Sequence, residues 1–415
     1  MTRPVQSLED RHTADARLAP FDSRAGFLVA GLVAAGSLVF ITMVMGIAFL
    51  LTANPDTPAL SNDFRVFWGA GRLAVAGEPL AIHDLARLGA SHATGLDVIM
   101  PWLYPPAFLV MVTPLGLMPF AWAYLGWAVA SLAMVAWAAR SFVAGIGPVW
   151  VLMALAPAYF PCVMMGQTSL FWLAALLAAL AALSQGRYVV AGVFIGLLTL
   201  KPQLGVMIPL ALLAIGAWRT ILSACVTTVL LLALPTLYYG LDYWPLLGKT
   251  LEDHGTNIIF SIIALKLMLN PMYFLAFIGV DPEVAMNIQL GLMALSAVAV
   301  FALWRSDRVG FDVKAAGLLC AIMLSAPYLW YYEGALMPAI ALFLLRGGVL
   351  SVRPLHMLLL VPLLIGGGAQ ALNVFTALFD QRWLGAAIIP PLVMVCFVLC
   401  LAQIVAPRAT APASA

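Results

Sequence analysis

The sequence has little charge. Of its 415 residues, 9% are charged and 64% are hydrophobic, and the mean hydropathy is +1.03. Soluble globular domains average roughly 25% charged and 45–50% apolar residues. A soluble fold is therefore excluded, and the chain is expected to lie in a membrane. At about 20 residues per span, it holds about twelve spans.

The sequence also lacks the alternation of polar and apolar residues that marks a membrane β-barrel. Residues 26–51 and 219–237 are apolar on all faces. Backbone groups in lipid must satisfy one another, so the spans are helices. The predicted fold is all-α, with a cytoplasmic tail over 1–25, one transmembrane domain over 26–406 and a disordered tail over 407–415.

Motifs for nucleotides, serine hydrolysis and metals are absent. There is no Walker A motif, no dinucleotide fingerprint and no Gly-x-Ser-x-Gly. The five cysteines have no metal-ligand spacing and are interpreted as small core residues. His83 and His92 are not spaced for zinc. No metal site or cofactor is predicted. The acidic residues of the outer loops leave binding of a divalent cation as an open alternative.

Basic residues set the expected orientation. Four arginines precede the first span, and no Lys or Arg follows it until Arg65, so this end is placed in the cytoplasm. The C-terminus is placed there too, because basic groups follow three later spans and would then all be cytoplasmic. Outer loops follow at about 52–104 and 240–283, and the polar stretches 52–104 and 240–257 are expected on the same side. Amphipathic patterns around 64–76 and 82–90 predict helices that lie on the outer face. Counting every apolar segment as a crossing, 105–118 and 188–214 included, puts Arg140 and Arg187 outside, against the usual bias. The alternative is a re-entrant break at Lys201, which would return Arg187 to the cytoplasmic side.

Two ionisable residues are the strongest site candidates, because polar groups at membrane depth are costly. Asp63 follows the first span among aromatic residues, where a carboxylate can act as a general base or bind a sugar hydroxyl. The alternative is a helix N-cap. Lys201 precedes Pro202 in an apolar stretch, where it can hold an anionic headgroup such as a lipid phosphate. The alternative is a lysine snorkelling to the interface.

Other polar residues carry weaker signals. Gln167 lies in a polar break and is either a helix start or a ligand contact. Tyr104 opens a span as an interfacial aromatic residue. Tyr332 and Glu333 belong to a late aromatic cluster that is either an aromatic belt or a sugar-binding surface. His254, beside Asp253, is either a site residue or part of a solvated loop.

Several segments together resemble the polytopic glycosyltransferases of family 87, which have the GT-C architecture and include polyprenol-phosphate-mannose-dependent α-mannosyltransferases. The likeness covers roughly 60–220, and the rest matches mainly in hydropathy. The shared pieces, in the family's order, are Asp63-Phe64, Phe67-Trp68-Gly69-Ala70-Gly71-Arg72, Ala76-Gly77-Glu78-Pro79, Tyr104-Pro105-Pro106, Pro114-Leu115-Gly116-Leu117, Gly166-Gln167-Thr168, Gly186-Arg187, Ala191-Gly192, Gly196-Leu197, Lys201-Pro202-Gln203 and Trp218-Arg219.

The resemblance implies roles for these residues. Asp63 occupies the position of the family's proposed general base, and Lys201, Arg65 and Arg72 are expected to bind the donor phosphate. Within the matched segments, the expected substrate-binding residues are Trp68, Tyr104, Gln167 and Gln203. His254, Tyr332 and Glu333 lie outside those segments and are expected to bind substrate on their own chemistry and position. The sequence departs from the family in its late aromatic cluster, which has no histidine, so no role of such a histidine is transferred.

The expected activity is therefore transfer of a hexose, mannose by the resemblance, from a polyprenyl-phosphate donor to a lipid or glycolipid acceptor, with inversion. The expected place is the outer leaflet of a bacterial inner (plasma) membrane. No nucleic-acid partner is expected, because no dense basic run is present. The alternatives are a transporter or lipid-carrier flippase, which inverted repeats would favour, and a scaffold protein, in which Asp63 is only a cap.

Overall fold

The computed structural model describes residues 6–52, 62–92, 100–143, 145, 147–263, 268–375 and 383–406. The predicted tail over 407–415 lies outside these ranges. The α-helices, in chain order, are α1 (Leu8–Ala16), α2 (Arg24–Thr52), α3 (Asn62–Val75), α4 (Leu85–Ser91), α5 (Pro106–Val112), α6 (Phe120–Ala139), α7 (Pro148–Ala154), α8 (Phe160–Met165), α9 (Ser169–Ser184), α10 (Tyr188–Leu197), α11 (Ile208–Ala214), α12 (Trp218–Tyr239), α13 (Tyr243–Ile263), α14 (Pro271–Phe277), α15 (Pro282–Arg305), α16 (Phe311–Ser325), α17 (Met337–Arg346), α18 (Pro354–Phe375) and α19 (Trp383–Val405).

The chain is an all-α polytopic membrane protein, as predicted. Within the described residues, five helical segments are long and apolar enough to cross a membrane, and a sixth candidate joins Glu9–Phe21 to Arg24–Phe40 through an 81° bend. Four shorter apolar helices accompany them. The predicted total of about twelve spans stays a prediction.

One end of the bundle, here called the tail end, is closed by the N-terminal segment. The Arg346 guanidinium is 2% exposed and donates to Asp312 at 2.7 Å, to the Asp15 carboxylate and to the Phe142 carbonyl. Gln6 donates to the other Asp312 oxygen at 3.0 Å. The part of the predicted N-terminal tail that is described is therefore a folded segment, and its helix α1 lies on the bundle.

The segment between α9 and α12 enters and leaves at the same end. Helices α10 and α12 run parallel, because their contacts advance together along both: Thr220 Oγ1 donates to the Tyr188 carbonyl (3.1 Å), Ser223 Oγ donates to the Val189 carbonyl (2.8 Å), and Gly196 lies against Thr227. The intervening residues must therefore return to the level at which α10 began. The result is a re-entrant hairpin over residues 188–217 with Lys201 at its tip.

The re-entrant hairpin places Arg187 at the tail end. The Ser184 carbonyl, three residues earlier, accepts a 2.5 Å hydrogen bond from Arg11 of the N-terminal segment. Counting 188–214 as a full crossing was wrong, and the alternative of a break at Lys201 is confirmed.

Arg140 also lies at the tail end, contrary to the count of crossings. Helix α6 begins with the Phe120 ring against Phe64 and ends beside Phe142, whose carbonyl accepts from Arg346. The error came from counting 105–118 as a span. Instead, α5 and the 3₁₀ turn after it pack against the amphipathic helix α3, where the backbones of Gly71 and Gly116 touch.

The two polar stretches meet at the opposite end, here called the site end. Trp102 donates to the Tyr243 hydroxyl at 2.7 Å, and His83 lies 3.3 Å from the Thr250 hydroxyl. The structure therefore places 240–257 beside the first loop, as predicted. Helices α3 and α4 form where the amphipathic patterns at 64–76 and 82–90 predict them.

Apolar side chains from helices of both halves of the chain form the main core. None of the five cysteines is paired, and four are buried. Cys225 is the exception to the predicted core role, because it is exposed on α12.

Candidate functional site

Asp63 is a buried carboxylate at the start of α3. Its side chain is 4% exposed, and Oδ2 accepts a 2.6 Å hydrogen bond from Gln167 Nε2. Helix α3 begins one residue earlier, at Asn62, so Asp63 lies inside the first turn and does not occupy the N-cap position. Burial raises the pKa of Asp63 to about 6, while the bond from Gln167 and the charge of Lys201 act in the opposite direction.

A left-handed turn brings Gln167 to Asp63. Gly166 ends α8 with φ +66°, and its position lies directly against Phe64, where a side chain would overlap. Glycine is the residue that adopts this conformation without steric cost. The Gln167 N–H then bonds to the Cys162 carbonyl at 2.9 Å, and the Thr168 N–H donates to Gln167 Oε1 at 3.2 Å. These bonds leave the amide nitrogen of Gln167 pointing at Asp63.

Lys201 and Glu333 form a buried ion pair. Lys201 Nζ lies 2.8 Å from Glu333 Oε1 and 3.2 Å from Ser169 Oγ, and both charged side chains are 5% exposed. Lys201 comes from the tip of the re-entrant hairpin, and Glu333 comes from the 3₁₀ turn Tyr331–Leu336 before α17. Since Gln167 and Ser169 are two residues apart, the break before α9 connects this pair to Asp63.

Asp63, Lys201 and Glu333 therefore share one cluster, here called the site cluster. Asp63 interacts electrostatically with both of the other charges. This is the convergence that the candidate roles of these residues require, since a base and a phosphate-binding cation must face the same substrate.

Aromatic rings line the site cluster. Lys201 Nζ lies 4.9 Å from the centre of the Tyr332 ring, and the Trp330 and Tyr332 rings lie at 12° to each other with centroids 6.0 Å apart. The Tyr104 hydroxyl lies beside Gln167 and close enough to Asp63 and Glu333 to interact electrostatically with them. Aromatic faces next to hydrogen-bonding groups suit a ligand that is both apolar and polar, as a sugar is.

The structure does not bring Arg65, Arg72 or Trp68 to the site cluster. The Arg65 guanidinium lies over the Phe120 ring at 4.7 Å. Arg72 lies over the Trp68 ring at 4.9 Å and donates to the Ser91 carbonyl at 2.7 Å. Trp68 donates to the Met118 carbonyl at 2.9 Å. These contacts join α3 to α4 and to the start of α6, which leaves Lys201 as the cation at the site cluster within the described residues.

Gln203 and His254 complete the predicted set. Gln203 is exposed beside the hairpin tip. The side chain of His254 lies outside the part of the chain that the structure describes.

Sequence reasoning missed Ser169, and from the late aromatic cluster it selected Tyr332 and Glu333 but not Tyr331. Ser169 bridges Lys201 and Glu333, and Tyr331 is buried close enough to Asp63 and Glu333 to interact with them. Ser169 directly follows the polar break that contains Gln167, so that break was the available signal. No group of three His, Cys, Asp or Glu side chains gathers for a metal ion in the described ranges. The prediction that no cofactor is needed stays a prediction.

This arrangement combines a buried carboxylate of raised pKa, a lysine and aromatic walls. A family model for glycosyltransferase family 87 matches residues 102–330, which is more than half of the chain. The chain belongs to glycosyltransferase family 87. Its all-α polytopic fold agrees with the GT-C superfamily, and a membrane glycosyltransferase acts on a sugar donor and an acceptor. Comparison with curated proteins and with solved structures gives no match.

The family match and the resemblance noted in the sequence cover different parts of this glycosyltransferase. The match extends beyond 220 to the late aromatic cluster and includes Gln167 and Lys201. It begins after Asp63, so the role of Asp63 rests on its position after the first span and on its place in the site cluster.

Proposed function

We propose that this glycosyltransferase moves a hexose from a polyprenyl-phosphate donor to a lipid or glycolipid acceptor. The observation that carries the proposal is the site cluster, which puts a carboxylate that can take a proton and a lysine that can bind a phosphate in one buried place. Mannose is the hexose that the sequence resemblance favours, and the resemblance is also the basis for the polyprenyl carrier.

The proposed reaction is a direct displacement. The acceptor hydroxyl attacks the anomeric carbon and gives its proton to the Asp63 carboxylate. The bond from the anomeric carbon to the phosphate oxygen breaks, and the polyprenyl phosphate leaves with the electron pair. One displacement inverts the anomeric centre, so a β-linked donor gives an α-glycoside. No second carboxylic acid has to protonate the leaving oxygen, in contrast to glycoside hydrolysis, because a phosphate leaving group is already a weak base.

The buried environment supports Asp63 as the base. Its pKa of about 6 leaves it ionised at neutral pH while making it a better proton acceptor than a carboxylate in water. Lys201 is placed to neutralise the departing phosphate, because a charged donor in a water-poor site stabilises developing negative charge strongly.

The proposed location is the outer leaflet of a bacterial inner (plasma) membrane. The N-terminal arginines support a cytoplasmic tail end. The site end, with its amphipathic helices α3 and α4, then faces outward, where both lipid substrates are within reach. The transporter and flippase alternatives have no specific support in the structure: buried charges form a cluster at each end of the bundle, and the family is one of transferases.

The test is transfer of radiolabelled mannose from polyprenyl-phosphate mannose to a membrane lipid extract by purified protein. Wild type and Asp63→Asn are compared with Asp312→Asn, which alters another buried carboxylate at the tail end. We expect labelled lipid from wild type and Asp312→Asn, and a loss of about 10²–10⁴-fold with Asp63→Asn. Full activity in a folded Asp63→Asn protein would exclude Asp63 as the base. No product with any polyprenyl-phosphate hexose would exclude the proposed donor class.

A further inference from the structure

Lys201 already has an anionic partner before any phosphate arrives. Its ammonium group contacts Glu333 Oε1 at 2.8 Å and Ser169 Oγ at 3.2 Å. An ammonium group has only three N–H donors. A phosphate that binds Lys201 must therefore share or replace the contact with Glu333.

The second oxygen of Glu333 has no hydrogen-bond partner among the described residues, although the residue is only 4% exposed. Burial of a carboxylate oxygen without a partner is unfavourable. The Lys201–Glu333 pair is thus held by one carboxylate oxygen only.

The charge balance of the site cluster also indicates that Glu333 and a phosphate compete for Lys201. Within the described part of the chain, it contains one cation, Lys201, and two carboxylates, Asp63 and Glu333. Asp63 must be ionised to act as a base. A phosphate entering this site meets two negative charges and one positive charge, and of the two carboxylates, it is Glu333 that occupies the cation.

We propose that Glu333 is a resident counter-ion of Lys201 that the donor phosphate displaces, and that its carboxylate then promotes release of the phosphate product. The inference rests on the proposed polyprenyl-phosphate donor. In the empty site, Glu333 keeps the buried lysine paired. In the occupied site, the phosphate takes Lys201, and the Glu333 carboxylate lies next to the phosphate.

The reaction increases the electrostatic repulsion between the Glu333 carboxylate and the bound phosphate. A polyprenyl-phosphate sugar is a phosphodiester with one negative charge, whereas the product is a phosphate monoester with about −1.5 to −2 charge at pH 7. A neighbouring carboxylate therefore repels the product more than the substrate. When the product leaves, Glu333 pairs with Lys201 again.

The experiment measures binding to purified, detergent-solubilised protein by titration calorimetry. The probes are farnesyl phosphate, which has the product's charge, farnesyl methyl phosphate, which has the donor's charge, and farnesol, which has none. The variants are Glu333→Gln, Glu333→Asp and Lys201→Met. Asp312→Asn is the matched control, because it alters the buried carboxylate that pairs with Arg346 at the tail end.

We expect Glu333→Gln to bind farnesyl phosphate at least about tenfold more tightly than wild type, because a unit charge a few ångströms away is removed from a poorly solvated site. The gain for farnesyl methyl phosphate should be smaller, and Asp312→Asn should bind as wild type does. Glu333→Asp, which draws the carboxylate back by one methylene group, should change binding in the same direction by less. It serves as the test if Glu333→Gln does not fold.

The outcomes separate the inference from the proposed function. If wild type binds farnesyl phosphate, Lys201→Met abolishes that binding, and the Glu333 variants bind it equally or more weakly, then Glu333 only orients Lys201 and the counter-ion exchange is wrong. If wild type binds farnesyl phosphate no better than farnesol, the phosphate site itself is wrong, and the exchange is overturned with it.

Discussion

The amide of Gln167 holds one oxygen of Asp63 at 2.6 Å, across 104 residues of sequence. Because the amide nitrogen of Gln167 donates to Asp63 and its amide oxygen accepts from the Thr168 N–H, the amide cannot rotate without losing both bonds. Gln167 is therefore a positioning residue for the proposed base, a role more specific than the substrate contact that the sequence suggested.

This relationship predicts the pH dependence of transfer. Activity should rise with pH through about 6, as Asp63 loses its proton. Gln167→Leu removes a hydrogen bond to the ionised carboxylate, so the acidic limb of kcat/KM should move to higher pH, and activity at pH 7 should fall. Gln185→Leu, which changes an exposed glutamine at the tail end, is the control. An unchanged acidic limb in Gln167→Leu would contradict the positioning role.

Ionisation of Asp63 should lower the stability of the fold with rising pH, although it raises the activity. Since the folded-state pKa of Asp63 lies above its ordinary value of 3.8, its favourable contribution is fully present below that value. The contribution is lost as pH rises through about 6. Thermal unfolding of wild type and Asp63→Asn from pH 4 to 7 should show a stability difference that shifts in favour of Asp63→Asn as pH rises. A constant difference would mean that Asp63 is not buried as an acid.

Gly166→Ala should damage both fold and activity. The residue needs φ +66°, and an added methyl group would overlap Phe64 beside Asp63. A left-handed backbone alone costs roughly 1–2 kcal/mol for a residue with a Cβ. The matched control is Gly126→Ala on α6, where nothing lies within 4 Å of the added methyl group. Thermal unfolding in detergent should show a lower Tm for Gly166→Ala only, and equal Tm values would contradict this account of the turn.

Arg346→Met should destabilise the tail end without changing the site cluster. It leaves the buried Asp312 without its cation, and breaking one partner of a buried pair costs roughly 3–5 kcal/mol. Protease sensitivity of the N-terminal segment should increase, because Asp15 loses the same partner. Arg353→Ala, at an exposed arginine, is the control. A protected N-terminus in folded Arg346→Met would show that α1 is held by other contacts.

The two ends can be assigned to sides of the membrane by thiol labelling. In cells, a cysteine at Glu252, which is exposed on α13, should react with a membrane-impermeant maleimide, whereas a cysteine at Arg187 should react only after lysis. Native Cys225 is exposed on α12 and provides the background to be subtracted. The reverse pattern would place the site cluster in the cytoplasm and remove the basis for an outer-leaflet reaction.

Composition and periodicity predicted the helical class, and they predicted α3 and α4 closely. Both follow from local physics, since apolar length and amphipathic spacing are written in the sequence itself. The number of crossings was not predictable in the same way. The apolar segment 188–214 is long enough to span, whereas 105–118 has only 14 residues and was counted for its apolar character. Packing against α3 and α12 shows that neither segment is a full crossing.

The site was predicted only in part, because the sequence shows which residues are polar but not which distant residues they meet. Asp63, Gln167, Lys201 and Glu333 are conspicuous because polar residues are scarce in such a chain. Arg65 and Arg72 had equally suitable chemistry, but α3 turns them toward Phe120 and Trp68. For Arg65 a distant partner, Phe120, decides this, and the sequence alone does not contain its position. Arg72 meets Trp68 four residues earlier on the same helix, a spacing that the sequence does show.

The re-entrant hairpin also has a consequence for the order of biosynthesis. Lys201 reaches the site end without any crossing of its own segment, but Glu333 follows it by 132 residues. At about 5–20 residues per second, the ribosome needs roughly 7–26 seconds to make that stretch. Until then Lys201 has no Glu333 to pair with, while α12 to α16 are being made. The Lys201–Glu333 pair is thus completed late in translation, and a nascent chain stalled before Glu333 would hold the proposed base beside a lysine without its counter-ion.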